Sequence, residues 1–273
     1  ATGTSERAGR PVSTRKPAAA PLAAYVLHRW DWSESSLIVE LFTRERGRIV
    51  VVAKGAKRPY SQLRPVLIPF QQLQVQLGRA PADEAAEVHL LRTAERASGP
   101  PMPAGAALFA GFYLNELLLR MLARQDPHAR LFDAYAEAVA ALQGADEPGV
   151  QLTLRSFELQ LLRELGVLPE LDSVTLTVRA LEPARRYALH AEAGVVEAGG
   201  TEPALPGAAL VALEAALAGG DGPALRRAAA PVTAALRVPL RQLLHYHLGT
   251  PQLRTRQVMV DLQKLIDRET HRP

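Results

Sequence analysis

The feature that most constrains this chain is a change in hydrophobic period at one glycine- and proline-rich junction, residues 99–105. Before the junction, β-branched runs and alternating apolar residues are typical of short strands. After it, Leu114, Leu117 and Leu118 recur at the spacing of one helix face. Because prolines and glycines interrupt both kinds of element, we place a domain boundary here. The pattern predicts an α+β multidomain protein, with a β domain followed by an α-helical bundle.

Five short strands are predicted before the junction. They are residues 23–28, 36–43, 49–52, 71–77 and 87–91. Residues 29–34 are predicted to form a polar connection, and a longer link precedes the fourth strand. This pattern favours a small closed barrel. An OB-type β-barrel is the first candidate and an SH3-like barrel stays the alternative, because the sequence does not separate the two. The domain is assigned to residues 22–98, after a flexible basic arm at residues 1–21.

Helices are predicted throughout the second half from apolar residues at helical spacing. One is expected to start at Asp126–Pro127, because a capping residue followed by proline is typical of helix starts. Another is expected to end at Gly166, and Pro239 is expected to open the last one, which ends at Gly249. The predicted helical positions are residues 114–122, 131–142, 154–165, 225–236 and 240–244.

The limits of the second half follow from these segments. The helical domain is assigned to residues 99–256, and residues 257–273 are predicted to be a tail or a short helix. Residues 169–206 interrupt the helices with alternating apolar residues and glycines, which predicts a small β insert.

Composition excludes several kinds of chemistry. The chain contains no cysteine, which excludes disulfides, thiolate nucleophiles and zinc sites built on cysteine. No apolar run approaches the roughly 18 residues that a membrane helix needs, and we recognise no secretory signal. We therefore expect a cytoplasmic protein with no membrane partner.

Charge is unevenly distributed along the chain. Residues 1–82 carry 13 lysines and arginines against 5 acidic residues, a net charge of +8, whereas the other residues carry 19 against 23, a net −4. The basic N-terminal part favours an anionic partner, most simply nucleic acid.

No catalytic site, metal site or cofactor is predicted. The acidic residues are scattered, without a pair at the spacing of general acid–base or two-metal catalysis. The glycine-rich turn at residue 78 lacks the lysine and the following helix of a phosphate-binding loop. His245 and His247 are two positions apart, so on a helix they point to different faces. The sequence therefore favours a non-enzymatic function.

Clustered positive charge follows the third predicted strand. The apolar run 49–52 leads directly into Lys54, Gly55, Lys57 and Arg58. Gly55 has no Cβ, so the chain can turn there and approach a partner closely. A rigid strand that presents cations on an open turn favours contact with a phosphate backbone, and a merely solvated turn is the alternative.

Further cations lie at the strand ends and loops of the same domain, where a barrel presents its binding surface. They are Arg29, Arg44, Arg46, Arg48 and Arg64. A second basic pair, Arg254 and Arg256, follows the last predicted helix. Trp30, Trp32 and Tyr60 lie among the N-terminal cations, where their rings either pack on the barrel or stack on bases.

These segments together resemble the bacterial recombination-mediator family RecO. The resemblance runs in order from about residue 23 to residue 256, and the ordered set carries it rather than any one motif. The N-terminal segments are residues 24–28, 32–36, 41–43, Gly47, 52–58 (Val-Ala-Lys-Gly-Ala-Lys-Arg) and 69–70. The C-terminal segments are residues 113–118, 131–135, 155–159, 165–166, 247–249 and 253–256.

The resemblance implies an N-terminal OB domain that binds DNA, a helical domain, and a small module that is a four-cysteine zinc site in many members. This sequence departs from the family there, because the insert at 169–206 has no cysteine. If the insert is folded, packing rather than metal has to hold it.

The resemblance also implies a function in bacterial DNA repair and recombination, at the nucleoid and without enzymatic turnover. The implied activities are binding of single- and double-stranded DNA, annealing of complementary strands, assembly with RecR, contact with the acidic C-terminal tail of single-stranded-DNA-binding protein, and recombinase loading. By position, Lys54, Lys57 and Arg58 are the foremost DNA contacts, followed by Arg254 and Arg256. The tail is expected in an apolar groove of the helical domain, edged by Arg120, Arg124, Arg130 and Arg163.

A second functional class stays open on the residues alone. In a protein-interaction adaptor, the basic barrel would dock an acidic protein rather than DNA, and the same charge asymmetry would serve it. A nuclease would require a carboxylate cluster that the sequence does not offer.

Overall fold

A computed structural model describes residues 20–78, 88–97, 99, 101–249, 253–255 and 258. Nearly all of the predicted basic arm at 1–21 and of the predicted tail at 257–273 therefore lies outside the described residues, as does residue 87 of the fifth predicted strand.

The N-terminal domain is a closed five-stranded barrel in the order β1-β2-β3-β5-β4, with β4 pairing back to β1. All pairs are antiparallel except β3 with β5, which is parallel. The strands are β1 Leu22–Asp31, β2 Leu37–Thr43, β3 Gly47–Ala53, β4 Gln72–Leu77 and β5 Val88–Arg96. This strand order with its single parallel pair is that of the OB-fold, which confirms the first candidate and removes the SH3-like alternative.

Two strands are longer than predicted. β1 continues through residues 29–31, where a polar connection was expected, and β5 reaches Arg96 instead of residue 91. A bulge between Val26 and His28 shifts the register of β1, after which the strand still pairs with β2. The exposed outer face of this extension lets polar and aromatic residues occupy a strand, so hydrophobic pattern alone did not reveal it.

β2 is buried at every position because it has a core on each side. Val39 and Leu41 point into the barrel with Ala24 and Val26 of β1. Phe42 points the other way, into a second and larger core shared with the helices. The outer face of the barrel at β2 is thus part of the core that the barrel shares with the helices.

Six α-helices follow in the described residues, and the third is central to them. The helices are α1 Ala106–Met121, α2 Ala129–Ala141, α3 Glu147–Glu164, α4 Gly207–Gly219, α5 Gly222–Ala229 and α6 Thr233–Leu248. α3 contacts α1, α2, α5 and α6, and its long buried face includes Leu154, Phe157, Leu161 and Leu162. As predicted, Gly166 lies just beyond the end of α3, with a φ of +69°.

Four features of the helical domain differ from the sequence predictions. The helix predicted over 225–236 is divided between α5 and α6, with the 3-10 turn Ala230–Val232 between them. α4 was not predicted, because its alanine- and leucine-rich residues form no single apolar stripe. α2 begins at Ala129 after His128 rather than at Asp126–Pro127, since those two residues belong to the connection that meets the barrel. Pro239 lies inside α6 and does not open it: the helix starts at Thr233, and the proline is buried among core leucines that favour a continuous helix.

The insert is folded as two small sheets. β6 Ser173–Val174 pairs with β7 Arg179–Ala180, and β8 Arg186–His190 lies between β9 Gly194–Glu197 and β10 Leu205–Pro206. Tyr187, Leu189, Val195 and Leu205 are buried in the core that the insert shares with the helices. Packing therefore connects this cysteine-free module to the bundle.

A buried amide joins the two domains. Asn115 on α1 donates through Nδ2 to the carbonyl of Leu27 at 3.0 Å and to that of Val26 at 3.4 Å, at the bulge of β1. Tyr135 of α2 donates its hydroxyl to Asn115 Oδ1 at 2.5 Å. Burial, and to a lesser degree the neighbouring Tyr25, raises the pKa of Tyr135 well above 10.0, so this hydroxyl keeps its proton.

Aromatic rings pack around Tyr135, the partner of that amide. Tyr25 lies 5.3 Å from Phe132 and 5.0 Å from Tyr135 between ring centroids, and Phe42 lies 5.4 Å from Phe132. Tilted and edge-to-face geometries of this kind are favourable beyond their buried area. The barrel and helices therefore form one continuous apolar interface.

We predict that Asn115→Ala lowers the free energy of unfolding by roughly 2–4 kcal/mol, because it leaves buried carbonyls and the Tyr135 hydroxyl without partners. Urea denaturation followed by circular dichroism measures the change. Gln62→Ala, which truncates an exposed amide, is the matched control and should change stability by less than about 0.5 kcal/mol. Equal stability of the two variants would contradict the role assigned to Asn115.

Candidate nucleic-acid interface

The predicted N-terminal cations are divided between two ends of the barrel. Asp31 of β1 pairs with Leu37 of β2, which pairs with Ala53 of β3, so the residues after β1 and β3 emerge at the same end. We call residues 29–36 and 54–64 the open end. The β2–β3 turn, residues 44–46, lies at the opposite end beside the helical domain.

Three cations of the open end are exposed and have no bonding partner among the described residues. Lys54, Arg58 and Arg64 are exposed, and their side chains form no hydrogen bond or ion pair within the part of the chain that the structure describes. Gly55 has a φ of +70°, a left-handed conformation that favours glycine and turns the chain directly after β3. The mostly buried strand β3 is thus followed by exposed, positively charged side chains, those of Lys54 and Arg58.

Two other predicted contacts at this end have structural partners. Lys57 Nζ donates to Asp31 Oδ2 at 2.7 Å and to the Ser33 carbonyl at 3.1 Å. Arg29 Nη1 donates to the carbonyl of Leu67 at 2.9 Å. Both side chains therefore hold loops in place, and the carboxylate of Asp31 offsets the charge of Lys57.

At the opposite end, predicted nucleic-acid contacts connect the barrel to the helices. Arg44 forms two hydrogen bonds of 2.9 Å with the carboxylate of Asp133 on α2. Arg48 donates to the carbonyl of Leu119 at 2.7 Å and lies 3.5 Å from Glu40. The structure thus separates these arginines from Lys54 and Arg58.

Arg46, in the same turn, is exposed. It contributes to the surroundings of His89 on β5, whose pKa is lowered first by burial and then by the charge of Arg46. Because Arg46 belongs to the β2–β3 turn, its backbone lies at the end of the barrel opposite the open end.

The β2–β3 turn approaches the α1–α2 connection closely. Gly47 has a φ of +66°, and a Cβ at this position would overlap the carbonyl of Asp126. Gln125 donates its backbone N–H to the Arg48 carbonyl at 2.8 Å. These contacts explain why Asp126 and Pro127 lie in a connection rather than in a helix.

The four arginines predicted to edge a partner groove do not lie together. Arg124 pairs with the buried Glu40 at 3.0 Å, and Arg120 pairs with Glu116 at 2.7 Å. Arg163 bonds Glu214 at 2.5 Å and Glu170 at 2.9 Å.

Arg130 and Arg163 line one cleft of about 310 Å³ between α2, α3 and the α4–α5 connection. We call it the α2–α5 cleft. Its lining includes Leu131, Leu217 and Leu225 together with four acidic residues, Asp133, Glu137, Glu164 and Asp221. The cleft is therefore mixed in charge rather than an apolar groove with basic edges.

The second basic cluster lies where the chain returns to α1 after α6. Leu253 is buried, and Glu116 accepts the backbone N–H groups of Arg254 and Thr255 at 2.9 Å each and the Thr255 hydroxyl at 2.6 Å. The Arg254 side chain is exposed, whereas Arg256 lies outside the described residues. Local sequence patterns do not reveal this role of Glu116, because Arg254 and Thr255 are more than a hundred residues away along the chain.

These bonds set the acidity of Glu116. Burial alone would raise its pKa, but the hydrogen bonds from Thr255 and Arg254 and the charge of Arg120 bring the pKa below the ordinary value of 4.5. The carboxylate is therefore charged at neutral pH.

Comparison with known proteins assigns the family. Residues 21–94 match the profile of "Recombination protein O N terminal", and residues 102–257 match that of "Recombination protein O C terminal". The chain belongs to the RecO family. The two matched segments of this RecO chain coincide with the barrel and the helical domain.

Relatives named "DNA repair protein RecO" are about half identical to the chain. Those of Polaromonas sp., Acidovorax ebreus and Variovorax paradoxus are 50%, 52% and 52% identical over 246, 256 and 255 residues. Each alignment covers 89% of this chain and 96% of the relative. This RecO chain is therefore a member of a DNA repair family, as the resemblance of its short motifs predicted.

The described residues contain neither a cluster of metal-ligating side chains nor a membrane-spanning helix. Among the described residues of this RecO chain, no three histidine or acidic side chains are grouped as metal ligands would be. No described helix has the length and apolar content needed to span a membrane.

We predict that Glu116→Gln loosens the segment at 253–255. Because the folded-state pKa of Glu116 lies below its ordinary value, the carboxylate contributes stability that is present above pH 4.5 and is lost as the pH falls through the folded-state value. The difference in unfolding free energy between wild type and Glu116→Gln should therefore shrink on acidification from neutral pH.

Hydrogen exchange of the Arg254 and Thr255 amides provides the local measurement. These amides should exchange faster in Glu116→Gln at neutral pH. Glu192→Gln, which neutralises an exposed glutamate of the insert, is the control. A pH-independent difference in stability would contradict the assignment.

Proposed function

We propose that this RecO-family chain is a non-enzymatic, DNA-binding mediator of repair that contacts phosphates through the open end of its barrel. The observation that carries the proposal is the contrast between the two barrel ends. Lys54, Arg58 and Arg64 are exposed and form no ion pair with any carboxylate that the structure describes, whereas Arg44 and Arg48 are bonded to the helical domain.

Phosphate contact accounts for the breadth of the proposed activity. Cations that bind the backbone release counterions and do not distinguish sequence, so single and double strands both bind. The same cations reduce repulsion between two strands, which favours annealing of complementary strands. Base readout is not required for either activity.

The mediator role further includes protein partners. We propose assembly with RecR and contact with the acidic C-terminal tail of single-stranded-DNA-binding protein, by which the recombinase is loaded on coated strands. Arg130 is the candidate for contact with the tail, because its side chain is exposed, whereas Arg120, Arg124 and Arg163 already pair with carboxylates.

We predict that the double variant Lys54→Gln/Arg58→Gln binds a labelled single strand about tenfold more weakly at low salt. The slope of log K against log salt should fall by about 0.7 for each lost phosphate contact. Fluorescence anisotropy over a salt series measures both quantities. Lys57 is left intact in this variant, because it holds two loops together.

Arg46→Gln is the matched control, since it removes an exposed positive charge at the opposite end of the barrel. Its affinity and salt slope should stay close to those of the wild type. Equal losses in both variants would place the DNA elsewhere. If the wild type binds no DNA at low salt, the phosphate proposal fails, and the adaptor function, with the barrel docking an acidic protein, replaces it.

We predict that Arg130→Glu weakens binding of a labelled peptide with the sequence of the acidic tail by at least about fivefold, because rim cations contribute roughly 1 kcal/mol or more to such contacts. Isothermal titration calorimetry measures the affinity. Arg237→Glu, an exposed arginine on α6, is the control. Unchanged binding of the peptide to Arg130→Glu would exclude the surface around Arg130 as the tail site.

A further inference from the structure

We propose that Trp32 and Tyr60 stack on unpaired bases, so that the open end prefers single-stranded over double-stranded DNA. The inference rests on the proposed function and deepens it, because the cations bind the backbone of either form whereas exposed rings require a base with a free face. The substrate class that follows is an unpaired strand threaded across the end of the barrel.

The exposure of these two rings is unusual for their residue types. Tyr60 is 95% exposed and Trp32 is 65% exposed. Neither ring contacts another aromatic ring among the described residues, whereas the less exposed Trp30 lies 5.5 Å from the ring of His28. Large aromatic side chains are mostly buried in folded proteins, so two open rings at one end of a barrel indicate a binding surface.

The loops that carry the rings are held by hydrogen bonds. Lys57 donates its backbone N–H to the Ser35 carbonyl at 3.0 Å, which joins the Trp32 loop to the loop after β3. The Lys57 ammonium adds bonds to Asp31 and to the Ser33 carbonyl.

Each loop is also closed on itself. The backbone N–H of Trp32 donates to the Ser36 carbonyl at 3.2 Å. The backbone N–H of Ser61, next to Tyr60, donates to the Arg58 carbonyl at 3.1 Å. A ring on an ordered backbone loses little conformational freedom when a base stacks on it, so the exposed surface is already arranged for binding.

Charge and rings at the open end serve different parts of a nucleic acid. Arg58 and Arg64 flank Tyr60 in sequence, and Lys54 lies on the loop that Lys57 joins to the loop of Trp32. Phosphates bound to these cations bring the bases of a flexible single strand within reach of the rings. The bases of a duplex already stack on their neighbours and do not offer a free face.

The test compares Trp32→Ala/Tyr60→Ala with the wild type on an oligothymidylate and on a duplex of equal length. We expect the double variant to lose roughly tenfold or more in single-strand affinity while duplex affinity changes by less than about twofold. The salt slope should stay unchanged, since no phosphate contact is removed. Tyr246→Ala removes an exposed tyrosine on α6 and is the matched control.

A fluorescence measurement checks the contact directly. In a Trp30→Phe background, Trp32 is the sole tryptophan, and oligothymidylate should quench its emission whereas the duplex should not. Trp32→Phe, which retains a ring, should recover most of the single-strand affinity.

The outcomes separate the two proposals. If Trp32→Ala/Tyr60→Ala binds the single strand as the wild type does, while Lys54→Gln/Arg58→Gln does not, stacking is refuted and the phosphate site stands. Equal loss on single strand and duplex also overturns the stacking proposal, because it indicates that the rings support the loops rather than select unpaired bases. If the wild type binds neither DNA, the proposed function itself fails.

Discussion

The side-chain amide of Asn115 is the interaction on which the arrangement of the two domains depends. It meets two carbonyls of β1 on one side and the hydroxyl of Tyr135 on the other. The carbonyls are available to the amide where the bulge shifts the register between β1 and β2. A buried polar group of this kind is favourable only in one orientation of barrel and helices, so it fixes their relative position, while the aromatic and aliphatic residues of the shared core supply the buried apolar area.

With the domains fixed, the role of each arginine depends on what lies opposite it. Arg44 and Arg58 both follow strands in basic turns, yet Arg44 meets Asp133 of α2 whereas Arg58 meets solvent. One basic side chain of this type stabilises the interface, and the other stays available to an anion. The same division applies to Lys54 and Lys57, which are three residues apart on one loop.

The sequence predicted the barrel, the helical half and the family, because hydrophobic period and ordered short motifs are local signals. It did not separate two barrel topologies, since the parallel pairing of β3 with β5 is a long-range contact. It missed α4, whose apolar residues surround the helix, and misplaced the start of α6 at Pro239. For the candidate site, the cations of the open end were identified, but nothing local distinguishes Lys57, bound to Asp31, from Lys54.

The doubly buried β2 has a consequence for how the protein is made. During synthesis the barrel strands leave the ribosome well before α2, so Tyr25, Leu27 and Phe42 have no apolar cover until Phe132 and Tyr135 follow them. A nascent chain that has closed its barrel still exposes this apolar outer face to solvent. The N-terminal barrel thus closes its own core, but its outer apolar face is covered only after the helices that follow it in the chain have been made.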